Sequence, residues 1–417
     1  MSVTKIAFVG HIDHGKSTLC GRLLVESGAV SPDKLEDLRQ ACKEKGNVID
    51  YAFCMDAFCE ERENLMTIDI TQIPVRIAGR SYLVIDTPGH AEFIRNMITG
   101  ACQADAAILL VDATEGIREQ TRRHAAILSF LGINQCIVAV NKMDRIGYDE
   151  IRFYKLKRNV EELMASLGIF PLHILPVSAM HGENLMARSK TMPWYNGNTL
   201  VEALTGLRTT EISSKDLRVA IQDVYSVNER KIAAARVEAG CVQQGTKVMA
   251  EPDHLELCLP EIIKYPQSVK SAKTGDCIGL VTDREPFLRR GQILCDIDSQ
   301  PQVTDHVWAN LIWLSETPFK AGMSLTLKLL TQETGCCIAQ IKQRMDSSTL
   351  EDEATKDQIL CLSDIGHVLI ETDKPLVWDA FNHIPEMGRF VLETDGKLLA
   401  AGTVLGNKDV TRQIMPW

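Results

Sequence analysis

The chain has 417 residues, 45% of them apolar and 24% charged, with a formal net charge of −10. That length exceeds one ordinary core and implies two to four domains, while the composition excludes a disordered, collagen-like or disulfide-scaffold protein. The charge is uneven, with 23 basic and 25 acidic residues through Thr210 against 22 and 30 beyond it, which argues against a surface that wraps nucleic acid.

Thirteen cysteines, an odd number, include no C-x-x-C pair, so reduced thiols are expected rather than a zinc or redox centre. The first strand follows the N-terminus directly, without a basic-then-apolar leader, and no apolar run is long enough to span a bilayer. A cytoplasmic protein with neither a membrane nor a DNA partner is the expectation.

The apolar run Ile6–Val9 predicts a strand, and Leu19 to Val30 a helix. Further strands are expected at Ser81–Ile85, Ala106–Val111, Ile137–Val140 and His173–Pro176, with helices at Glu92–Thr99, Arg118–Leu131 and Phe153–Leu167 between them. Alternating strands and helices imply a mostly parallel sheet covered on both faces. After a polar break at Thr209 to Ser214 the texture changes to short strands punctuated by Gly, Pro and Asp. Leu217–Val227, Lys231–Glu238, Gly245–Met249, Cys277–Val281 and Gln292–Cys295 form one set. A second set comprises His306–Trp313, Ser324–Leu330, Cys337–Arg344, Val368–Thr372, Arg389–Glu393 and Ala400–Val404. The reading is an α/β P-loop domain over 1–210, β-barrels over 215–300 and 301–407, and a tail from 408 to 417. Trp308, Trp313 and Trp378 alternate with apolar neighbours and are expected in the core.

Three motifs follow strand ends, where open α/β sheets bind ligands. Gly10-His11-Ile12-Asp13-His14-Gly15-Lys16-Ser17-Thr18 fits G-x4-G-K-[ST] between a strand and a helix. Its glycines let backbone N–H groups and the helix N-terminus approach phosphates, which assigns Gly10, His11, Asp13, His14, Gly15, Lys16, Ser17 and Thr18 to them. Lys16 reaches the β- and γ-phosphates and Ser17 offers its hydroxyl to Mg2+. In Asp86-Thr87-Pro88-Gly89-His90, Asp86 holds that ion through water and the Gly89 amide senses the γ-phosphate. His90 stands where a side chain would orient the attacking water, and Thr67 is the candidate for a second hydroxyl on the metal.

Asn141-Lys142-Met143-Asp144 selects the base. Asp144 can accept from the guanine N1–H and 2-amino group together, and adenine, lacking both donors, would leave it unpaired at a cost of roughly 1–3 kcal/mol. Asn141 can bridge to the base and tie the loops together, the Lys142 stem can cover the ring, and Ser178-Ala179-Met180 would turn the Ala179 amide toward the guanine carbonyl. The nucleotide read from these residues is GTP.

With those motifs the chain resembles the translation-factor superfamily of GTPases, whose hallmarks are G-H-x-D-H-G-K-S-T and D-T-P-G-H and whose shared architecture is one GTPase domain with two barrels. Within it, several segments are similar to the GTPase subunit of sulfate adenylyltransferase. They are Glu61 to Asp69, Gln120 to His124, Met192-Pro193-Trp194-Tyr195, Gln222 to Tyr225, Ile312-Trp313-Leu314, Asp346 to Glu351 and Gly388-Arg389-Phe390-Val391. The resemblance implies an apolar gate of Ile12 and Met66 beside His90. It also implies a GTPase that couples hydrolysis to ATP-dependent sulfate activation on a smaller catalytic subunit. The alternative is a translation elongation factor delivering aminoacyl-tRNA to the ribosome. The acidic barrels and the segments just named place tRNA second. Leu65 and Met66, where the family has glycine and isoleucine, leave room for a G protein that binds nucleotide with feeble turnover.

Overall fold

The computed structural model describes residues 3–28, 51, 71–86, 104–208, 216–227, 230–283, 288–350, 352–353 and 358–406. The chain divides into two compact units, one built on Met1–Thr210 and the other on Glu211–Asp346 with Glu351–Ile414.

The first unit holds a six-stranded sheet of β1 (Thr4–Gly10), β2 (Thr71–Ile77), β3 (Arg80–Asp86), β4 (Ala106–Asp112), β5 (Cys136–Asn141) and β6 (His173–Pro176), in the order β2-β3-β1-β4-β5-β6. Only β2 runs antiparallel to its neighbour. The central strands are continuous apolar runs because both faces are covered: Ala106 to Val111 are wholly buried. Strand β2 is not anticipated by the sequence pattern, although Ile73, Val75 and Ile77 alternate inward while Pro74 and Arg76 face outward. Its proline is tolerated because the strand lies at the sheet edge.

Three helices start or stop where local chemistry dictates. Helix α1 (Lys16–Glu26) begins three residues before the expected Leu19, because the phosphate motif itself forms the first turn. It ends before Val30, at a left-handed Gly28. Helix α2 (Glu119–Phe130) keeps nearly its expected bounds. Helix α3 (Glu150–Ser166) starts earlier than Phe153 because Asp149 caps it, accepting the Arg152 amide at 3.0 Å. The expected helix Glu92–Thr99 lies outside the described residues.

The second unit is antiparallel throughout its two barrels. The first is an eight-stranded sheet with a two-stranded piece, and the second a seven-stranded sheet. Five strands of the first barrel are absent from the expected sets: Cys241–Gln243, Leu255–Cys258, Glu261–Lys264, Gln267–Val269 and Ser271–Lys273. At three or four residues each they are too short for periodicity to mark. Two others run far beyond expectation, Gln332–Asp346 and Asp364–Trp378, because polar positions at their solvent faces hide the pattern. Trp313 and Trp378 are core residues, but Trp308 is not. Val307, Ala309, Leu311 and Trp313 share the inward face of one strand, so Trp308 falls on the other. There its ring lies 5.1 Å from that of His367 and under the Lys342 ammonium.

One buried ion pair fastens the barrels. Arg218, 1% exposed, donates to both carboxylate oxygens of Asp379, at 2.6 and 3.1 Å, and also to the carbonyls of Leu217 and Ser299. Ala220, Ala239 and Ile293 pack beside it against Val377, Ile384 and Met387. Removing one partner strands a buried charge, so Arg218→Met should cost about 3–5 kcal/mol in urea unfolding. Arg218→Met combined with Asp379→Leu should recover most of that loss. Equal loss in the single and double variants would refute the role of the pair.

Candidate nucleotide site

Strands β1, β3, β4 and β5 end at the same sheet edge, and their last residues, Gly10, Asp86, Asp112 and Asn141, supply the site. The loop from Gly10 to Gly15 needs its glycines. A Cβ on Gly10 would lie 2.9 Å from the Leu110 carbonyl oxygen, and one on Gly15, at φ +88°, 2.5 Å from Asn141 Nδ2. Lys16 Nζ lies within the loop, donating to the Gly10 carbonyl at 2.6 Å and the His11 carbonyl at 3.1 Å. Burial lowers its pKa, and Asp86 is the leading charge that opposes this. Ser17 and Thr18 are half-buried in the first turn of α1, and Ile12 and Asp13 face solvent.

His14 turns its ring inward. Its Nδ1 donates to the Leu110 carbonyl at 3.2 Å, and its Nε2 is 3.8 Å from a Glu115 oxygen. Burial lowers its pKa, which the Leu110 hydrogen bond only partly offsets. Among the phosphate residues assigned above, His14 thus has its ring engaged by the Leu110 carbonyl.

The structure brings the residues assigned to the base together, with one exchange of partners. Asn141, 2% exposed, donates Nδ2 to the His14 carbonyl at 2.8 Å and accepts the Ala179 amide on Oδ1 at 2.9 Å. The Ala179 N–H expected to meet the guanine carbonyl is thus committed to Asn141, because the carboxamide must satisfy its oxygen in a buried site. The Ser178 hydroxyl donates to Asp144 at 2.6 Å, and Met180 is exposed. Lys142 adopts a left-handed backbone, φ +62°, and pairs with Asp112 at 2.7 Å. The positions assigned to Thr67, Met66, Gly89 and His90 lie outside the described residues.

Three contributors lie outside the expected site residues, although His124 ends the segment Gln120 to His124 compared above. Arg22, from α1, donates to the carbonyls of Ala179 and Met180 at 3.2 and 2.5 Å, bracing the base loop. Asp112 anchors Lys142; its position at a strand end was the available signal. His124, on α2, is buried close to Lys16, His11 and His14, and desolvation pushes its pKa down to about 3.

A phosphate loop on a strand–helix junction, with a base-reading loop beside it on a parallel sheet, defines a P-loop GTPase domain followed by barrels. Residues 1–213 match the family model described as the elongation factor Tu GTP binding domain, and residues 306–405 match the GTP-eEF1A C-terminal domain-like model. The chain is 37% identical over 410 residues to Elongation factor 1-alpha of Archaeoglobus fulgidus, covering 96% of each chain. It is 36% identical to that of Methanocaldococcus jannaschii (97% of this chain, 98% of the relative) and 36% to that of Pyrococcus furiosus (96% of both). The chain belongs to the translation elongation factor GTPase superfamily and carries its GTP-binding domain.

These relatives overturn the leaning toward sulfate activation, and with it the expected small catalytic partner. The physical reason lies in the segments that suggested it. Trp194 packs on Phe153 and Tyr154, and Trp313 on Phe319. A Cβ on Gly388 would meet Phe381 backbone at 2.5 Å, and Phe390 fills the barrel core. Each of these residues is engaged in packing, and none of these contacts by itself points to a sulfate reaction.

The depressed His124 pKa has a testable sign. Between the unfolded value near 6.5 and the folded value of about 3, the unfolded chain binds one proton more. Stability is complete above pH 6.5 and falls below it by up to about 1.4 kcal/mol per pH unit from this group. His124→Phe should flatten the urea-unfolding stability profile between pH 6.5 and 5; an unchanged slope would contradict the assignment.

Proposed function

We propose that this chain is a translation elongation factor that carries aminoacyl-tRNA to the ribosome while loaded with GTP and lets go after hydrolysis. The observation that carries the reading is identity to Elongation factor 1-alpha proteins over 96% of the chain, across GTPase domain and barrels alike. The acidic excess beyond Thr210 does not oppose it. Net charge sums over the whole of that part of the chain and does not describe the local field at one surface. We take the domains as 1–210, 215–300 and 301–407.

Within the GTPase domain, the loop amides and Lys16 hold the phosphates. Asp144 reads the guanine edge, and Lys142 lies along the ring. The Ser17 hydroxyl and the Asp86 carboxylate are hard oxygen donors at adjoining strand and helix ends, a set that suits Mg2+; Thr67 adds a third. Bound there, the ion neutralises charge on the β- and γ-phosphates. The Gly89 amide contacts the γ-phosphate, so losing that group releases its loop. His90 orients water behind the gate of Ile12 and Met66.

An aminoacyl-ester protection assay tests the carrier role. With GTP the chain should slow spontaneous deacylation of aminoacyl-tRNA, and with GDP it should not; equal decay in both would overturn the proposal. His90→Ala should lower GTP turnover by about 10²-fold with little change in GTP affinity. Wild-type turnover in that variant would remove His90 from the reaction.

A further inference from the structure

The guanine loop rests on a residue outside its motif. We infer that Asp112 is a positioning residue for base recognition, holding Lys142 so that its methylene stem forms one wall of the guanine pocket. The inference rests on the GTP-binding reading above and deepens it.

Four observations point to this role. Asp112 is 1% exposed, and its two oxygens divide their work. Oδ2 meets Lys142 Nζ at 2.7 Å, while Oδ1 accepts the Thr114 amide at 2.7 Å and the Thr114 hydroxyl at 2.6 Å. Thr114 thus aims the carboxylate at the ammonium. Although burial works to raise the Asp112 pKa, the bonds from Lys142 and Thr114 win, and the net shift is downward, so the group is ionised at neutral pH.

The backbone supplies the third observation. Lys142 sits at φ +62° and ψ +34°, a conformation that disfavours a side chain with a Cβ. The same residue starts the 3-10 turn Met143–Ile146, in which Asp144 is the second residue. An anchor on Lys142 therefore also sets the direction from which Asp144 approaches the base. Register is the fourth observation: Asp112 stands opposite Asn141 across the β4–β5 ladder, and the Ala113 amide donates to the Asn141 carbonyl at 2.8 Å. The end of β4 thereby underlies Asn141 and Lys142.

A tethered, neutralised lysine exposes its stem rather than its charge, which suits the apolar face of a purine. Released from Asp112, a lysine side chain would sample many rotamers and leave that wall undefined. The contact concerns the base and not the γ-phosphate, so it is equal for GDP and GTP.

Nucleotide titration of the full chain with Asp112→Asn tests the role, since this substitution keeps the shape and removes the charge. GDP and GTP affinities should fall together by about tenfold, the scale of one charge-assisted hydrogen bond. Turnover at saturating GTP should stay within about twofold of wild type. Lys142→Met leaves Asp112 without its cation, so Asp112→Asn/Lys142→Met is measured beside it. The double variant should regain the thermal stability lost in Lys142→Met, yet bind GDP no better than Lys142→Met does. Normal GDP affinity in Asp112→Asn with only a lowered melting temperature would make Asp112 structural and overturn the inference. So would additive losses of affinity in the double variant. A wild-type chain that takes up no GDP would instead overturn the GTP-binding reading itself.

Discussion

The nucleotide site depends on one buried carboxamide. Asn141 faces two loops at once, and its two polar ends are satisfied by groups that belong to neither its own loop nor each other's. The donor end fixes the carbonyl of His14 in the phosphate loop, and the acceptor end fixes the amide of Ala179 in the base loop. Because the group is buried, water cannot replace either partner, and a lost bond leaves an unsatisfied polar atom at a cost of about 1–3 kcal/mol. The two loops are thereby tied to one residue and held at a constant separation. Arg22 adds a second strut from helix α1 to the same base loop.

The barrels show the same economy in a different chemistry. Two antiparallel sheets with separate apolar cores meet over a small apolar contact and the Arg218–Asp379 pair. The bidentate geometry specifies orientation, since the planar guanidinium fork accepts a carboxylate from only a narrow range of directions. The six-stranded sheet in turn places its functional residues where parallel strands end, so backbone direction alone gathers residues far apart in sequence.

Much of this is legible in the amino-acid sequence. The phosphate and base motifs are local, with spacings dictated by loop geometry, and the strands that carry them are long apolar runs. Three-residue strands and the edge strand at Thr71–Ile77 are not legible, because their patterns are short or interrupted by proline. The partners of Asn141, Lys142 and Arg22 are hidden for another reason: a hydrogen bond across many residues leaves no periodicity. The choice between relatives fails for a physical cause as well. The tryptophans and the glycine that look diagnostic of one branch are held by close packing in this chain, and a packing contact does not mark a branch. Net charge misleads similarly, since a sum over many residues does not describe the local field at one surface.

Hydrogen exchange on the nucleotide-loaded chain tests the coupling through Asn141 most directly. With GDP added, amides of the segments at 10–19 and 177–182 should gain protection together in the wild type. In Asn141→Ala the phosphate loop alone should respond. Protection of the two segments that remains joint in Asn141→Ala, or that is independent in the wild type, would contradict the coupling.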